Sequence, residues 1–162
     1  MTASSERVSL REITPRNRKR IEKLKVTHKQ AKYVDSVAES LVEAAETPQA
    51  QPWYRAAFVD DLPGGFVMLS ESEADDPDRP SPYYVWRFLI DRRHQGQGYG
   101  AAALGLVVDH VRSQPDARVL TTSVVPGPSS PLGFYLRHGF RLTGQVYDGE
   151  LVLELDLSTS SP

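Results

Sequence analysis

The fold is decided by one stretch, Arg92-Arg93-His94-Gln95-Gly96-Gln97-Gly98-Tyr99-Gly100-Ala101. It lies between residues 83–90, the clearest strand pattern in the chain, and residues 98–114, where the apolar residues have helical spacing. Three alternating glycines let backbone N–H groups converge without side chains in the way. At a helix N-terminus, such groups and the helix dipole favour a phosphate. The stretch therefore predicts a site for a pyrophosphate-bearing ligand.

Three alternative interpretations of this stretch compete with a pyrophosphate site. A Walker loop requires Gly-Lys-Ser/Thr, and the sequence contains no such run. Gly98, Gly100 and Ala103 fit the spacing of a dinucleotide-binding fingerprint. That fingerprint expects an acidic residue after the next strand, whereas Asp116 precedes it. The third alternative is a tight strand-to-helix turn that binds nothing.

The rest of the chain alternates between strand and helix patterns. Strands are predicted at 8–13, 53–60, 65–70, 83–90 and 119–125, with a turn at Asp61-Leu62-Pro63-Gly64 between the second and the third. A final hairpin is predicted to turn at Asp148-Gly149. Helices are predicted after Thr14-Pro15 and at 34–46, 98–114 and 132–138. The order β-α-α-β-β-β-α-β-α-β-β indicates a mixed α/β (α+β) fold. We expect one domain over 1–162, with a core at about 6–157, an exposed loop at 71–82 and a disordered tail at 158–162.

Composition excludes several classes of protein. The formal net charge of -2 gives no reason to expect nucleic acid or an anionic membrane as a partner. No run of 18 apolar residues is present, and the polar start lacks a secretory signal, so we predict a cytoplasmic protein. The chain has no cysteine, and its four histidines lack metal-binding spacing. We therefore predict no metal site and no cysteine acyl-enzyme.

Two motifs resemble the GNAT superfamily of N-acetyltransferases. Arg93-His94-Gln95-Gly96-Gln97-Gly98 matches the family's Arg/Gln-x-x-Gly-x-Gly/Ala turn, and Gly100-Ala101 continues it. Phe134-Tyr135-Leu136-Arg137-His138-Gly139-Phe140 matches its tyrosine in a short helix before Gly-Phe. More narrowly, residues 83–100 and the Asp148-Gly149-Glu150 hairpin resemble bacterial diamine and polyamine (spermidine/spermine-type) acetyltransferases. The resemblance implies a three-layer fold with a mostly antiparallel mixed sheet of six or seven strands flanked by helices.

The resemblance also implies acetyl-CoA as co-substrate, with direct transfer to a primary amine in a ternary complex. The pyrophosphate is expected on the glycine-rich turn and the pantetheine arm along the preceding strand. The residues expected at the coenzyme are Phe88, Leu89, Ile90, Arg93, Gln95, Gly96, Gln97, Gly98, Tyr99, Gly100 and Ala101. Pro128 stands where many members have an Asn that contacts the coenzyme, which leaves Ser129 and Ser130 as candidates for that contact.

Catalytic roles are less firmly tied to the motifs. Tyr135 is the expected general acid for the departing thiolate, the alternative being a packing tyrosine. Glu39 and Glu43 are the candidates for the base, with Asp35 as the outer member of one acidic stripe. The alternative for that stripe is a solvated helix face. Alternation along the central strand predicts Trp86 and Arg87 on opposite faces of the sheet.

Three functions agree with these residues. The first is acetylation of a diamine or polyamine, with the acidic helix as an anionic wall for the substrate. The second is the same chemistry on an aminoglycoside, an amino acid or a protein N-terminus. The third is a non-catalytic sensor of acyl-CoA, because fold alone does not settle function. A homodimer is a further expectation from the resemblance.

Overall fold

The computed structural model describes residues 3–71 and 82–158. Its helices are α1 (Ala3–Arg7), α2 (Arg18–Glu22), α3 (Val37–Glu46), α4 (Tyr99–Arg112) and α5 (Leu132–Arg137). Its strands are β1 (Val8–Arg11), β2 (Pro52–Val59), β3 (Leu62–Ser70), β4 (Tyr84–Ile90), β5 (Val119–Val124), β6 (Arg141–Tyr147) and β7 (Glu150–Asp156). Short 3₁₀ turns occupy His28–Tyr33, Pro48–Ala50 and Arg92–His94. Most of the predicted loop at 71–82 and of the predicted tail at 158–162 lies outside the described residues.

One mixed sheet forms the middle layer of the protein. Its seven described strands lie in the order β1-β2-β3-β4-β5-β7-β6. Neighbouring strands are antiparallel except β4 and β5, which run parallel because α4 crosses over between them. The predicted mixed sheet of six or seven strands, mostly antiparallel, is therefore confirmed.

Helices cover both faces of this sheet. On one face α2 and α3 bury Ile21, Val37 and Leu41 against Phe66 and Met68 of β3. The other face is covered by α4 and α5, whose buried side chains are Leu104, Val107, Val108, Val111 and Tyr135. Each fully buried aliphatic side chain contributes about 1.5–3 kcal/mol relative to exposure. The helical spacing predicted for α3 and α4 is what aims these side chains at the sheet.

Helix starts differ from the sequence prediction for local reasons. The predicted helix at 34–46 begins at Val37, because Ser36 caps it and accepts a hydrogen bond from the Glu39 amide at 3.1 Å. The predicted helix after Thr14-Pro15 begins at Arg18 instead, following a turn in which Arg18 N–H bonds to the Thr14 carbonyl at 2.9 Å. The polar start was not predicted as a helix, yet it forms α1.

The two tight hairpins show one wrong and one confirmed turn. The β2–β3 turn falls at Asp60-Asp61 and not at 61–64, because Asp60 takes a left-handed φ of 54° while Pro63 and Gly64 lie within β3. The β6–β7 turn falls at Asp148-Gly149, as predicted. Both residues there have positive φ, 50° and 79°, as a type I′ turn requires.

Candidate active site

A cleft opens where β4 and β5 separate. Among the described residues these strands pair at two positions only, Tyr84 with Thr121 and Val85 with Thr122. Trp86 is an extra residue in the β3–β4 ladder, since Met68 faces Arg87 while Leu69 faces Val85. Such a bulge bends and twists its strand. The resulting cleft has a volume of about 820 Å³ and is lined by β4, β5, the glycine-rich turn and α5.

The bulge also corrects the prediction for Trp86 and Arg87. Both side chains contact the α3 side of the sheet, because the extra residue breaks the alternation. Trp86 packs against the apolar cluster under α2 and α3. Arg87, whose side chain is 15% exposed, pairs with Asp35 at 2.7 Å and with Glu43 at 2.5 Å.

The glycine-rich turn borders one end of this cleft. Gly96 and Gly98 have φ of 75° and 86°, a region that favours glycine, and Gly98 is the N-cap of α4. Gln95 fixes the turn, because its side-chain amide donates to the Ile90 carbonyl and to the Gln30 side chain, both at 2.8 Å. The turn therefore presents backbone groups beside the part of β4, after Val85, that is not paired with β5.

Most of the residues predicted at the coenzyme line this cleft. Those that do so are Phe88, Leu89, Ile90, Gln95, Gly96, Gly98, Gly100, Ala101, Ser129 and Ser130. The other three predicted residues, Arg93, Gln97 and Tyr99, are not among the described residues that line the cleft. Arg93 instead pairs with Asp91 at 2.8 Å, and the buried Tyr99 accepts a hydrogen bond from Arg7 at 2.7 Å. Their side chains are directed to structural contacts.

Tyr135 lies within the cleft wall and is 4% exposed. Burial raises the pKa of its hydroxyl well above the ordinary value, and a hydrogen bond with Thr122 only partly opposes this effect. The phenol is therefore held protonated at neutral pH. That protonation state is the one a general acid needs.

Comparison with known proteins shows to which family the chain belongs. The sequence model described as "Acetyltransferase (GNAT) family" matches residues 18–140. The chain belongs to the GNAT acetyltransferase family. It is 26% identical over 155 residues to a spermine/spermidine N(1)-acetyltransferase of Bacillus subtilis strain 168, covering 93% of this chain and 99% of the relative.

Solved structures with the same fold include acetyltransferases of several kinds. An aminoglycoside acetyltransferase AAC(6')-Ib in complex with coenzyme A has a TM-score of 0.73 at 15% identity, covering 92% of this chain and 94% of that one. The spermidine/spermine N-acetyltransferase SpeG of Vibrio cholerae has a TM-score of 0.64 at 15% identity, covering 96% of each chain.

The acetyltransferase is therefore acyl-CoA-dependent, with acetyl-CoA as co-substrate. Its site fits two parts of that molecule. The positive-φ glycine turn at the start of α4 suits a pyrophosphate, and the unpaired part of β4 suits an extended arm. In the described part of the chain, no group of three or more potential ligands could hold a metal ion. No helix in those same residues has the length and apolarity to cross a membrane.

The acidic stripe has other contacts in this acetyltransferase. Glu39 completes the cap of α3, accepting from the Ser36 amide at 3.2 Å, and its hydrogen bonds with Ser36 lower its pKa. Glu43 is paired with Arg87, as is Asp35. Among the described residues lining the cleft, Asp35 appears whereas Glu39 and Glu43 do not.

The loop after β5 carries the two serine candidates. Ser130 donates its hydroxyl to the Val125 carbonyl at 2.6 Å and accepts from the Leu132 amide at 3.3 Å. Its proton is therefore committed to the loop, which leaves Ser129 as the better candidate for a coenzyme contact. The Pro128 carbonyl accepts a hydrogen bond from Tyr33, which joins the 3₁₀ turn at 28–33 to this loop.

The polar residues of the cleft that sequence reasoning missed include Tyr84, Ser123 and Glu150. Tyr84 is placed by its pairing with Thr121 near the start of the shared β4–β5 ladder. Ser123 and Glu150 meet because β5 and β7 are adjacent, with Ser123 opposite Val152. The only sequence signal was the Asp148-Gly149 turn, which fixes where β7 begins.

Proposed function

We propose that this acetyltransferase transfers acetyl from acetyl-CoA to a primary amine of a diamine or polyamine by direct attack. The observation that carries the proposal is the likeness to the Bacillus subtilis enzyme, which spans nearly the whole of both chains. A second support is the Glu150 carboxylate in the cleft. It accepts a hydrogen bond from Ser123 and forms no ion pair with a Lys or Arg of the described residues. Polyamines are cationic at neutral pH, so an unpaired carboxylate at the site is complementary to them.

Residue roles within this proposal follow from the cleft. The turn at 95–101 holds the pyrophosphate, and the main chain of residues 88–90 holds the pantetheine arm. A backbone N–H of that strand polarises the thioester carbonyl, as an oxyanion-hole donor does. Tyr135 gives its proton to the departing thiolate. Because Glu39 and Glu43 are engaged elsewhere, neither is assigned as the base.

The test is thiol release from acetyl-CoA with purified enzyme. The chain has no cysteine, so a thiol-reactive dye detects coenzyme thiol alone. Spermidine, spermine and putrescine are compared with lysine, an aminoglycoside and a short peptide. We expect kcat/KM for the polyamines to exceed that for the other amines by at least about 10-fold, which corresponds to 1.4 kcal/mol of transition-state stabilisation.

Coenzyme binding, measured separately by calorimetry, is the control for this assay. Enzyme that binds acetyl-CoA but prefers the aminoglycoside or the peptide would contradict the polyamine assignment and leave the acetyltransferase chemistry in place. Enzyme that binds the coenzyme and acetylates no amine of the panel would contradict the assignment as well.

A further inference from the structure

Three polar side chains form a hydrogen-bonded row in the wall of the cleft. Tyr84 of β4 bonds through its hydroxyl to Ser123 of β5. Ser123 in turn donates its hydroxyl proton to the Glu150 carboxylate of β7, at 3.0 Å. All three residues line the cleft and are half-buried. The row therefore runs across three adjacent elements of the sheet, from β4 to the far side of β5.

The direction of these hydrogen bonds follows from the number of protons. A serine hydroxyl has one hydrogen, and a carboxylate can only accept. Because Ser123 donates to Glu150, Tyr84 must donate to Ser123. The oxygen of Tyr84 then keeps its lone pairs free to accept from a donor in the cleft, and an ammonium group is such a donor.

Glu150 is the carboxylate of the cleft whose charge is left without a basic partner. Arg87 pairs with both Asp35 and Glu43, while the described ion pairs of the chain do not include Glu150. The charged and titratable groups that act on Tyr84 are Glu150, Tyr147 and Arg87, and Tyr84 in turn acts on Tyr135. Glu150 is therefore the final acceptor of the hydrogen bonds that run from Tyr84 through Ser123.

An amine nucleophile needs such an acceptor. A lysine-like ammonium has a pKa of about 10.4, so at pH 7.4 only about one molecule in a thousand is neutral. Tyr135 is not suited to accept this proton, because it must itself be protonated in order to donate a proton to the thiolate. Tyr84 and Tyr135 thus have opposite tasks, since Tyr84 accepts a proton and Tyr135 donates one.

We propose that the substrate ammonium binds at the Tyr84 oxygen and loses its proton along the row Tyr84–Ser123–Glu150. The ammonium proton passes to the Tyr84 oxygen as the Tyr84 proton passes to Ser123 and the Ser123 proton to Glu150. The products are a neutral amine and a neutral Glu150 carboxyl, so charge and protons balance. The neutral amine attacks the thioester carbonyl to form the C–N bond, and the C–S bond breaks as Tyr135 protonates the thiolate. The second proton of the attacking nitrogen then restores Tyr135, and Glu150 returns its proton to solvent. This inference rests on the proposed acetyl transfer to an amine.

Three variants test the row with acetyl-CoA and spermidine. Glu150→Gln keeps an acceptor for Ser123 but removes the basic end, Ser123→Ala breaks the row and keeps the Glu150 charge, and Tyr84→Phe removes the contact with the amine. Each is expected to lower kcat/KM by about 10²–10³-fold, the usual effect of losing acid–base catalysis. Coenzyme affinity should stay within about twofold, which also shows that the variants fold. Glu154→Gln, on the same strand and paired with the exposed Arg141, is the matched control that should keep wild-type activity.

Two further readouts separate a proton row from a simple anionic contact. The double variant Glu150→Gln/Ser123→Ala should be no slower than either single variant, because either change interrupts one row. Between pH 7 and 9, kcat/KM of Glu150→Gln should rise about tenfold per unit as the neutral amine becomes more abundant, while the wild-type rate rises less.

The outcomes distinguish this inference from the function on which it rests. If the wild-type enzyme acetylates spermidine while Ser123→Ala keeps kcat/KM within about threefold, the row is wrong and the proposed function stands. If another amine of the panel is the substrate, the same variants measured with that amine decide the row. An enzyme that acetylates none of these amines overturns both proposals.

Discussion

Asp91 joins the end of β4 to the segment after α2 and to the 3₁₀ turn at Arg92–His94. It follows β4 directly, is 1% exposed, and accepts hydrogen bonds at both carboxylate oxygens. The Lys25 amide donates at 2.9 Å, the Arg93 amide at 3.1 Å and the Arg93 side chain at 2.8 Å. Replacing it by alanine therefore releases both the segment after α2 and the 3₁₀ turn that leads into the glycine-rich turn.

The cost of Asp91→Ala can be worked from these bonds. A hydrogen bond to a charged group contributes about 1.5–3 kcal/mol, and the Lys25 and Arg93 amides each lose such a bond. Both residues are exposed, so values at the low end apply. The Arg93 side chain is 69% exposed, so its pairing adds at most about 1 kcal/mol. We expect a loss of about 3 kcal/mol in the free energy of unfolding. For a chain of this length that lowers Tm by about 6–12 °C.

The pH dependence of this contribution has a definite sign. Burial raises the pKa of Asp91, but the hydrogen bonds from Arg93 and Lys25 outweigh it and leave the pKa below its usual value. A carboxyl whose pKa is lowered by folding stabilises the protein above its unfolded pKa of about 3.9. That contribution is lost as the pH falls through the folded value. The difference in unfolding free energy between wild type and Asp91→Asn should therefore narrow below about pH 4.

The assay is urea unfolding and thermal unfolding at pH 7, with a parallel calorimetric titration of acetyl-CoA. Asp109→Ala, at an exposed position on α4, is the matched control and should unfold like wild type. Asp91→Ala should also weaken coenzyme binding, because the turn loses its anchor. A Tm within about 2 °C of wild type, together with unchanged coenzyme affinity, would show that Asp91 does not hold the glycine-rich turn in place.

The remaining predictions concern the site and its support. Tyr135→Phe should lower kcat by about 10²–10³-fold while the coenzyme dissociation constant stays within about twofold; an unchanged kcat would make Tyr135 a packing residue. Glu39→Gln preserves the cap of α3 and should leave kcat/KM for spermidine unchanged, and a loss of 10-fold or more would restore Glu39 as the base. Gly65→Ala places a Cβ 2.7 Å from the Leu89 carbonyl oxygen, so the backbone must move. The free energy of unfolding should fall by about 1–3 kcal/mol, as measured by urea unfolding, whereas wild-type stability would show that β3 shifts without cost.

The parts of the fold that could be predicted are those set by local chemistry. Gly96 and Gly98 take positive φ, which glycine adopts readily, and Asp148-Gly149 favours a type I′ turn, so both turns follow from the residues themselves. The helical spacing of α4 likewise predicts its buried side chains, Leu104, Val107, Val108 and Val111. In α3 the same spacing predicts the buried Val37 and Leu41, but Val42 of the apolar stripe is exposed. A homodimer, a cytoplasmic location and a single domain over 1–162 stay predictions.

What could not be predicted depends on contacts between distant segments. The residues at 83–90 form one continuous strand pattern, and nothing in it shows that Trp86 is an extra residue against β3. The sequence shows that the acidic stripe can bind a cation, but not which one. In the structure, that cation is Arg87 of the same chain, which forms ion pairs with Asp35 and Glu43. The contact between Ser123 and Glu150 exists only through the β5–β7 register.

One irregularity in β4 connects these unpredicted features. The bulge at Trp86 ends the pairing of β4 with β5 after Val85, and this separation creates the cleft. The same bulge turns Arg87 toward α3, where its guanidinium neutralises most of the acidic stripe that the sequence offered as the wall for the amine. The anionic group left for the proposed cationic substrate is then Glu150, which is hydrogen-bonded to Ser123 and through it to Tyr84. Without the extra residue, the alternation of the strand would return Trp86 and Arg87 to opposite faces of the sheet. The ion pairs that occupy the acidic stripe, and with them the assignment of Glu150 as the proposed proton acceptor, therefore depend on this bulge.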